Sequence, residues 1–71
     1  MQSTGARIER GEIIAATETG YRIRSLDRGG IEVWDIKAIS EQEYEPGDRI
    51  YYFVFADGTG AILAAMEEIE D

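Results

Sequence analysis

The chain has 71 residues, the size of one small domain, with 15 acidic and 7 basic side chains, no cysteine and no histidine. The lack of cysteine excludes disulfides and thiolate metal sites, and the lack of histidine removes the usual zinc ligand and the usual acid–base group near neutral pH. The net charge of −8 argues against strong nonspecific binding to nucleic acid, because neutralisation of phosphates supplies that affinity.

The charge is unevenly distributed along the chain. Residues 1–24 carry four arginines and three glutamates, a net charge of +1, whereas residues 40–71 carry one arginine and nine acidic residues, a net charge of −8. The N-terminal residues contain no apolar signal region, and the apolar runs at 50–56 and 61–66 are too short to span a bilayer. We therefore expect a cytoplasmic protein that does not interact with a membrane.

The first predicted strand spans residues 7–17, after a flexible N-terminus at residues 1–6 that shows no periodicity. Gly11 interrupts this strand and predicts a bulge or a close backbone approach. The adjacent Ile13 and Ile14 break strict alternation, which is typical of a strand that bends and serves two parts of a barrel.

The second predicted strand spans residues 21–26 and lies between glycine-containing turns at 18–20 and 27–30. Because side chains alternate across a strand, Arg22 and Arg24 share one face, and Tyr21 and Ile23 share the other.

The third predicted strand spans residues 31–38, and a change of phase near Trp34 predicts a bulge there. The longest connection follows, at residues 39–48. In this connection Ser40 and Glu43 fit a capping box, so it contains either one helical turn before Pro46 or a bare loop.

The fourth predicted strand spans residues 49–56, and its two faces are both apolar, so we expect both to be largely covered. Its aromatic residues Tyr51, Phe53 and Phe55 form either an exposed platform for a partner or ordinary core. The core interpretation is favoured because so short a chain has few apolar side chains to spare.

The fifth predicted strand spans residues 61–66, after a hairpin turn at Asp57-Gly58. The apolar residues of this segment also fit helical spacing. A strand is favoured, because the acidic residues that follow would crowd the negative end of a helix dipole. An acidic tail is predicted at residues 67–71, which leaves a barrel domain at 7–66.

Five short strands predict an all-β fold, because a small barrel avoids leaving open sheet edges. The two common small barrels are the OB-fold and the SH3-like barrel. The long third connection with short first, second and fourth connections favours an OB-like barrel, with the SH3-like barrel as the alternative.

The turn residues also resemble a known family. Gly20 precedes the second strand, Gly29-Gly30 precede the third, Gly47-Asp48 precede the fourth, and Asp57 precedes the fifth. This pattern, over residues 11–65, is similar to that of RNA-binding OB domains of the ribosomal S-one type, and a comparable pattern occurs in structural OB modules of phage baseplate spikes. The first resemblance implies RNA binding on strands two and three, where Arg22, Arg24 and Trp34 stand near the family's surface aromatic and histidine.

These residues define the candidate nucleic-acid site. Arg22 and Arg24 would contact phosphates, Trp34 or Tyr21 would stack on a base, and Lys37 completes the set. The favoured alternative is that both arginines pair with carboxylates such as Glu32 and that Trp34 caps the core.

No other motif carries a specific chemistry. The acidic residues Glu41, Glu43, Glu45 and Asp48 lack the spacing of a calcium loop and are expected to be solvated. No nucleophile has a base nearby in the sequence pattern, so no enzyme activity, cofactor or metal is predicted.

We expect a binding module for protein interaction or assembly, because the charge polarity would let the arginine-bearing front of one copy meet the acidic back of another copy or protein. Weak binding of single-stranded RNA or DNA is the alternative.

Overall fold

The computed structural model describes residues 5–69, which form a closed five-stranded barrel followed by a four-residue helix. The elements are β1 (Arg7–Thr17), β2 (Gly20–Ser25), β3 (Glu32–Ala38), β4 (Arg49–Val54), β5 (Gly60–Ala65) and α1 (Met66–Ile69). The strands are ordered β1-β2-β3-β5-β4 around the barrel, with β4 antiparallel to β1 and β3 parallel to β5. The prediction of an all-β, OB-like five-stranded barrel is confirmed.

The long strand β1 closes the barrel, because it pairs with β4 through its first half and with β2 through its second half. Ile14 is an extra residue between Ile13 and Ala15 in the register with β2, and such a bulge bends a strand. The predicted bend at the adjacent isoleucines is confirmed, but the bulge lies at Ile14 rather than at Gly11.

Gly11 is needed for close packing inside the barrel. It is buried, and a Cβ atom at this position would lie 2.5 Å from Cγ2 of Ile23 and 2.8 Å from Cε1 of Tyr52. The close approach predicted at Gly11 is therefore made by side chains across the interior and not by a neighbouring backbone.

The bulge predicted near Trp34 is confirmed, and β3 begins one residue later than predicted. Val33 pairs with Ile23 and Ile36 pairs with Tyr21, so β3 has one more residue than β2 between these two pairs. Asp35 has a φ of 61°, in the left-handed region that residues other than glycine rarely adopt. Trp34 and Asp35 are both exposed, and Ile36 returns to the interior.

The core is built from one isoleucine of each strand around the ring of Tyr52, which is the largest fully buried side chain among the described residues. Burying each such side chain contributes about 1.5–3 kcal/mol. β-Branched residues also suit the pleated wall of a barrel, which explains the choice of isoleucine. The five isoleucines, in chain order, are Ile13, Ile23, Ile36, Ile50 and Ile62.

The connection between β3 and β4 contains no helix at residues 39–48, so the bare-loop alternative is correct. The hydroxyl of Ser40 accepts a hydrogen bond from the backbone N–H of Gln42 at 3.3 Å, a local turn contact. Tyr44, in the middle of the loop, is buried and meets the ring of Tyr21 edge-on, with 5.8 Å between ring centroids. The loop thus covers the core beside the start of β2.

The two faces of β4 differ in burial, so the expectation that both are covered is wrong. The strand ends at Val54, and its inward residues belong to the core. The outward residues are half-buried or exposed, because only one face of each strand in so small a barrel points into the interior. The core interpretation is therefore wrong for these outward residues, which are Tyr51, Phe53 and Phe55.

The C-terminal segment is a strand to Ala65, as favoured, and then the short helix α1. The predicted boundary between the barrel at 7–66 and the acidic tail at 67–71 falls inside α1. Residues 70–71 of that tail and residues 1–4 of the predicted flexible N-terminus lie outside the described residues. Over the described range, no helix has the length and apolar character needed to cross a membrane.

Candidate functional site

Two of the residues predicted for nucleic-acid contact, Arg22 and Trp34, lie together on the outer surface of β2 and β3. The guanidinium carbon of Arg22 is 4.4 Å from the centroid of the Trp34 ring, a cation–π distance. Nε of the same guanidinium donates a hydrogen bond to Oε1 of Glu32 at 2.8 Å, and Nη2 forms an ion pair with that oxygen at 2.7 Å. The expected pairing with Glu32 is confirmed, whereas Trp34 is 56% exposed and does not cap the core.

The other predicted residues lie in different surroundings. Nη1 of Arg24 is 3.8 Å from Oε1 of Glu12 on the outer face of the barrel. The hydroxyl of Tyr21 accepts the backbone N–H of Tyr44 at 3.1 Å. Tyr21 and the exposed Lys37 line a depression of 290 Å³ beside the β1–β2 turn. The structure thus brings together only Arg22 with Trp34 and Tyr21 with Lys37, while Arg24 lies beside Glu12, and both arginines have a carboxylate neighbour.

A groove of 410 Å³ opens in the barrel wall between the first half of β3 and the β4–β5 loop. Within residues 5–69, β3 pairs with β5 at Lys37 and Ala38 only, so β5 leaves the preceding part of β3 uncovered. The groove has an apolar lining with two cations at its edge. The larger apolar residues are Ile31, Val33, Val54 and Phe55, and the cations are Arg7 and Arg28.

The apolar lining of the groove is open to solvent and held in a defined shape. Ile31 is 50% exposed and Phe55 is 41% exposed. The backbone N–H of Phe55 donates to the carbonyl of Thr59 at 2.7 Å, and Oδ1 of Asp57 accepts the backbone N–H of Thr59 at 3.0 Å. Gly58 has a φ of 92°, so the hairpin turn predicted at Asp57-Gly58 is confirmed. Hydrogen bonds within the loop therefore fix the position of Phe55 beside the groove.

The two arginines of the groove both reach a carboxylate inside the barrel, that of Glu9, which is 2% exposed. Oε1 of Glu9 accepts hydrogen bonds from the hydroxyls of Tyr52 at 2.5 Å and of Ser25 at 3.1 Å. Nε of Arg28 lies 2.6 Å from Oε2, an ion pair in which the two atoms are poorly aligned for a hydrogen bond. Nη1 of Arg7 is 3.6 Å from the same oxygen. Glu9 therefore connects the two arginines of the groove to the core, because it pairs with both guanidinium groups and accepts a hydrogen bond from the buried Tyr52.

Opposing effects determine the protonation of Glu9. Burial raises the pKa of Glu9, but the hydrogen bonds from Tyr52 and Ser25 and the positive charge of Arg28 outweigh it, so the pKa of Glu9 lies below its ordinary value. Burial, followed by the hydrogen bond to Glu9, raises the pKa of Tyr52. At neutral pH Glu9 is ionised and Tyr52 is a hydrogen-bond donor.

The groove combines apolar side chains with guanidinium groups. The carboxylate of Glu9 is enclosed by its own partners, so it is held as a structural ion. The described part of the chain contains no group of three or more side chains of the metal-ligating types placed to hold a metal ion. An apolar floor beside the exposed guanidinium of Arg7 and the half-buried one of Arg28 suits a ligand that carries both apolar and acidic groups.

Sequence reasoning missed both Glu9 and the groove. One signal for Glu9 was present, because Glu9, Gly11 and Ile13 stand two residues apart and share the inward face of β1. The neighbouring Ile8 obscures this signal, because an isoleucine is expected to point inward, whereas Ile8 is 69% exposed. The groove depends on where β5 stops covering β3, which no local pattern encodes.

Comparisons with protein families, curated proteins and solved structures gave no match to this chain. The resemblance to ribosomal S-one-type domains therefore rests on the turn residues and on the barrel alone.

Proposed function

We propose that the chain is a non-enzymatic binding module that docks a segment of a protein in the groove beside β3. The observation that carries this proposal is the exposed apolar lining at Ile31 and Phe55, next to the cations Arg7 and Arg28. A chain with so small a core stabilises itself by burying apolar groups, so an open apolar groove of this kind favours a binding role.

The size and position of the groove support a peptide-like occupant. Its volume of 410 Å³ lies within the range of about 300–1,000 Å³ that is typical of ligand pockets. An extended segment in the groove would run beside the first half of β3, where main-chain pairing with a partner strand adds to side-chain contacts.

The test compares two isoleucine-to-glutamate variants in affinity purification followed by mass spectrometry. Ile31→Glu changes the groove, and Ile39→Glu makes the same change at an isoleucine that is 63% exposed and outside the groove. We expect a partner to be recovered with the wild-type chain and with Ile39→Glu, and to be lost with Ile31→Glu. Recovery of the same proteins with both variants would contradict the proposal, and so would recovery of neither another protein nor a second, differently tagged copy of this chain with the wild type.

A second candidate function is weak binding of single-stranded nucleic acid. The observation in its favour is the exposed ring of Trp34 under the guanidinium of Arg22, because an aromatic and a cation together form a stacking platform for bases. Arg22 already pairs with Glu32, and Arg24 lies close to Glu12. A phosphate would have to compete with these carboxylates, which weakens this candidate.

The test of the second candidate is an amide NMR titration with a short mixed-sequence single-stranded RNA at low ionic strength. Binding would shift Arg22, Arg24 and Trp34, and the shifts would decrease as salt is added. A spectrum that does not change would eliminate this candidate and leave the groove as the binding surface.

A further inference from the structure

The groove carries a local positive charge on an acidic chain. Arg7 and Arg28 line it, and the only carboxylate close to both guanidinium groups among the described residues is that of Glu9. One carboxylate against two guanidinium groups leaves a net charge of +1 at the groove, on a chain whose net charge is −8. The groove therefore selects for an occupant that is both apolar and acidic.

The chain itself contains a segment of that composition at residues 66–71. Its sequence is Met-Glu-Glu-Ile-Glu-Asp, with four acidic side chains around two apolar ones. It is the most concentrated run of acidic residues in the chain and follows directly after β5.

The groove and the start of this segment lie at opposite ends of the barrel. Ala65, the residue before α1, pairs with Ile50 at the start of β4. Val54, which lines the groove, lies at the end of β4 and pairs with Arg7. The four steps from Ile50 to Val54 span about 13 Å along the strand. Glu67, the first acidic residue of the segment, is exposed and lies beside Asp48 and Arg49, at the end of the barrel away from the groove.

We infer that the occupant of the groove is the acidic segment 66–71 of a second copy of this chain. The inference rests on the proposed function, since it names the partner for the same groove. Because the groove and the segment are different surfaces, the contact is heterologous, and each copy can give one segment and receive another. The chain then assembles head to tail, with the acidic residues beside Arg7 and Arg28 and the apolar side chains on Ile31 and Phe55.

The first measurement is an amide NMR titration of the full chain with the peptide acetyl-Ser-Gly-Met-Glu-Glu-Ile-Glu-Asp-amide. We expect shifts at Ile31, Val33 and Phe55. A second peptide, in which glutamine and asparagine replace the four acidic residues, is expected to bind about threefold or more weakly, since several ion pairs are lost and each contributes up to about fivefold. Absence of shifts at the groove, or equal affinity for both peptides, would overturn the inference.

Two variants of the protein separate the groove from general charge effects. Arg7→Gln removes a cation of the groove, and Arg49→Gln removes an exposed cation at the other end of β4. The expected result is weaker binding of the acidic peptide to Arg7→Gln and wild-type binding to Arg49→Gln. Because each free variant gives its own amide spectrum, loss of folding is recognised directly. Equal weakening in the two variants would refute recognition at the groove.

The second measurement is sedimentation equilibrium over about 20 µM to 1 mM, in about 0.15 M salt to screen the repulsion between acidic copies. The weight-average mass should rise with concentration for the wild type and less steeply for Arg7→Gln. A strictly monomeric wild type would overturn the inference. If a different protein is still recovered in a manner that depends on Ile31, the proposed function stands while the second copy is excluded as the occupant.

Discussion

Replacing Tyr52 with phenylalanine tests whether the buried carboxylate of Glu9 stabilises the barrel. The hydroxyl of Tyr52 donates to Oε1 of Glu9 at 2.5 Å and the ring is fully buried, so the substitution removes one oxygen and retains the ring. A hydrogen bond to a charged group contributes about 1.5–3 kcal/mol, and Oε1 keeps the bond from Ser25. We expect the free energy of unfolding to fall by about 2 kcal/mol, which lowers the melting temperature by about 8–16 °C in a domain of this size.

The assay is urea unfolding followed by far-UV circular dichroism at pH 7. The matched control is Tyr51→Phe, the same chemical change at a half-buried ring on the outer face of β4, which should alter the free energy of unfolding by less than about 0.5 kcal/mol. If Tyr52→Phe is no more destabilising than Tyr51→Phe, the hydrogen bond to Glu9 does not stabilise the fold.

The pH dependence of the same variant gives an independent check. Because the folded pKa of Glu9 lies below its ordinary value of 4.5, the stability it contributes is fully present above that value and is lost as pH falls through the folded pKa. Tyr52→Phe removes a hydrogen bond that lowers this pKa. The difference in unfolding free energy between wild type and variant should therefore be largest near neutral pH and decrease as the solution is acidified below pH 4.5. A constant difference would show that Glu9 is not the group involved.

Three further substitutions test the packing. Gly11→Ala would place a methyl group 2.5 Å from Cγ2 of Ile23 and should cost about 1–3 kcal/mol in chemical denaturation, whereas no loss would show that the interior has room to spare. Gly60→Ala would place Cβ 2.0 Å from the carbonyl oxygen of Phe53, so we expect failure to give a dispersed amide spectrum, and a native spectrum would contradict the register of β4 and β5. Trp34→Ala removes an exposed ring and should change the melting temperature by less than about 8 °C, because an exposed cation–π contact contributes only about 0.5–1 kcal/mol; a larger loss would mean that the ring packs into the core.

Much of the fold was predictable because local patterns determine it. The bounds of β1, the bend at Ile13 and Ile14, the bulge at Trp34 and the turn at Asp57-Gly58 each follow from a break in alternation or from residues that accept unusual backbone angles. Loop lengths then favoured the observed OB-like order. Burial of the outer face of β4 was not predictable in this way, because aromatic residues occur on both faces and only barrel closure decides which face is inside.

The candidate site was less predictable than the fold. Arg22 and Trp34 lie on the adjacent strands β2 and β3 and contact each other. The short turn between these strands and the alternation of side chains along them indicate this contact. The groove brings together β1, β3 and the β4–β5 loop, which are distant in sequence, and it exists because β3 pairs with β5 only near its end. Such a feature follows from strand stagger around the whole barrel, and no single segment of the sequence records it.

Replacing Arg28 would affect both folding and binding, whereas replacing Arg7 would affect mainly binding. Arg28 lies 2.6 Å from Oε2 of Glu9, and removing one partner of a buried ion pair costs up to about 3–5 kcal/mol, although Glu9 would keep the hydrogen bonds from Tyr52 and Ser25. Loss of binding in an Arg28 variant would therefore report on folding as much as on the groove. Arg7 is 63% exposed and 3.6 Å from the same oxygen, and exposed ion pairs contribute at most about 1 kcal/mol. Because Arg7 adds charge to the groove while contributing little to the core, a change in binding on its removal is attributable to recognition.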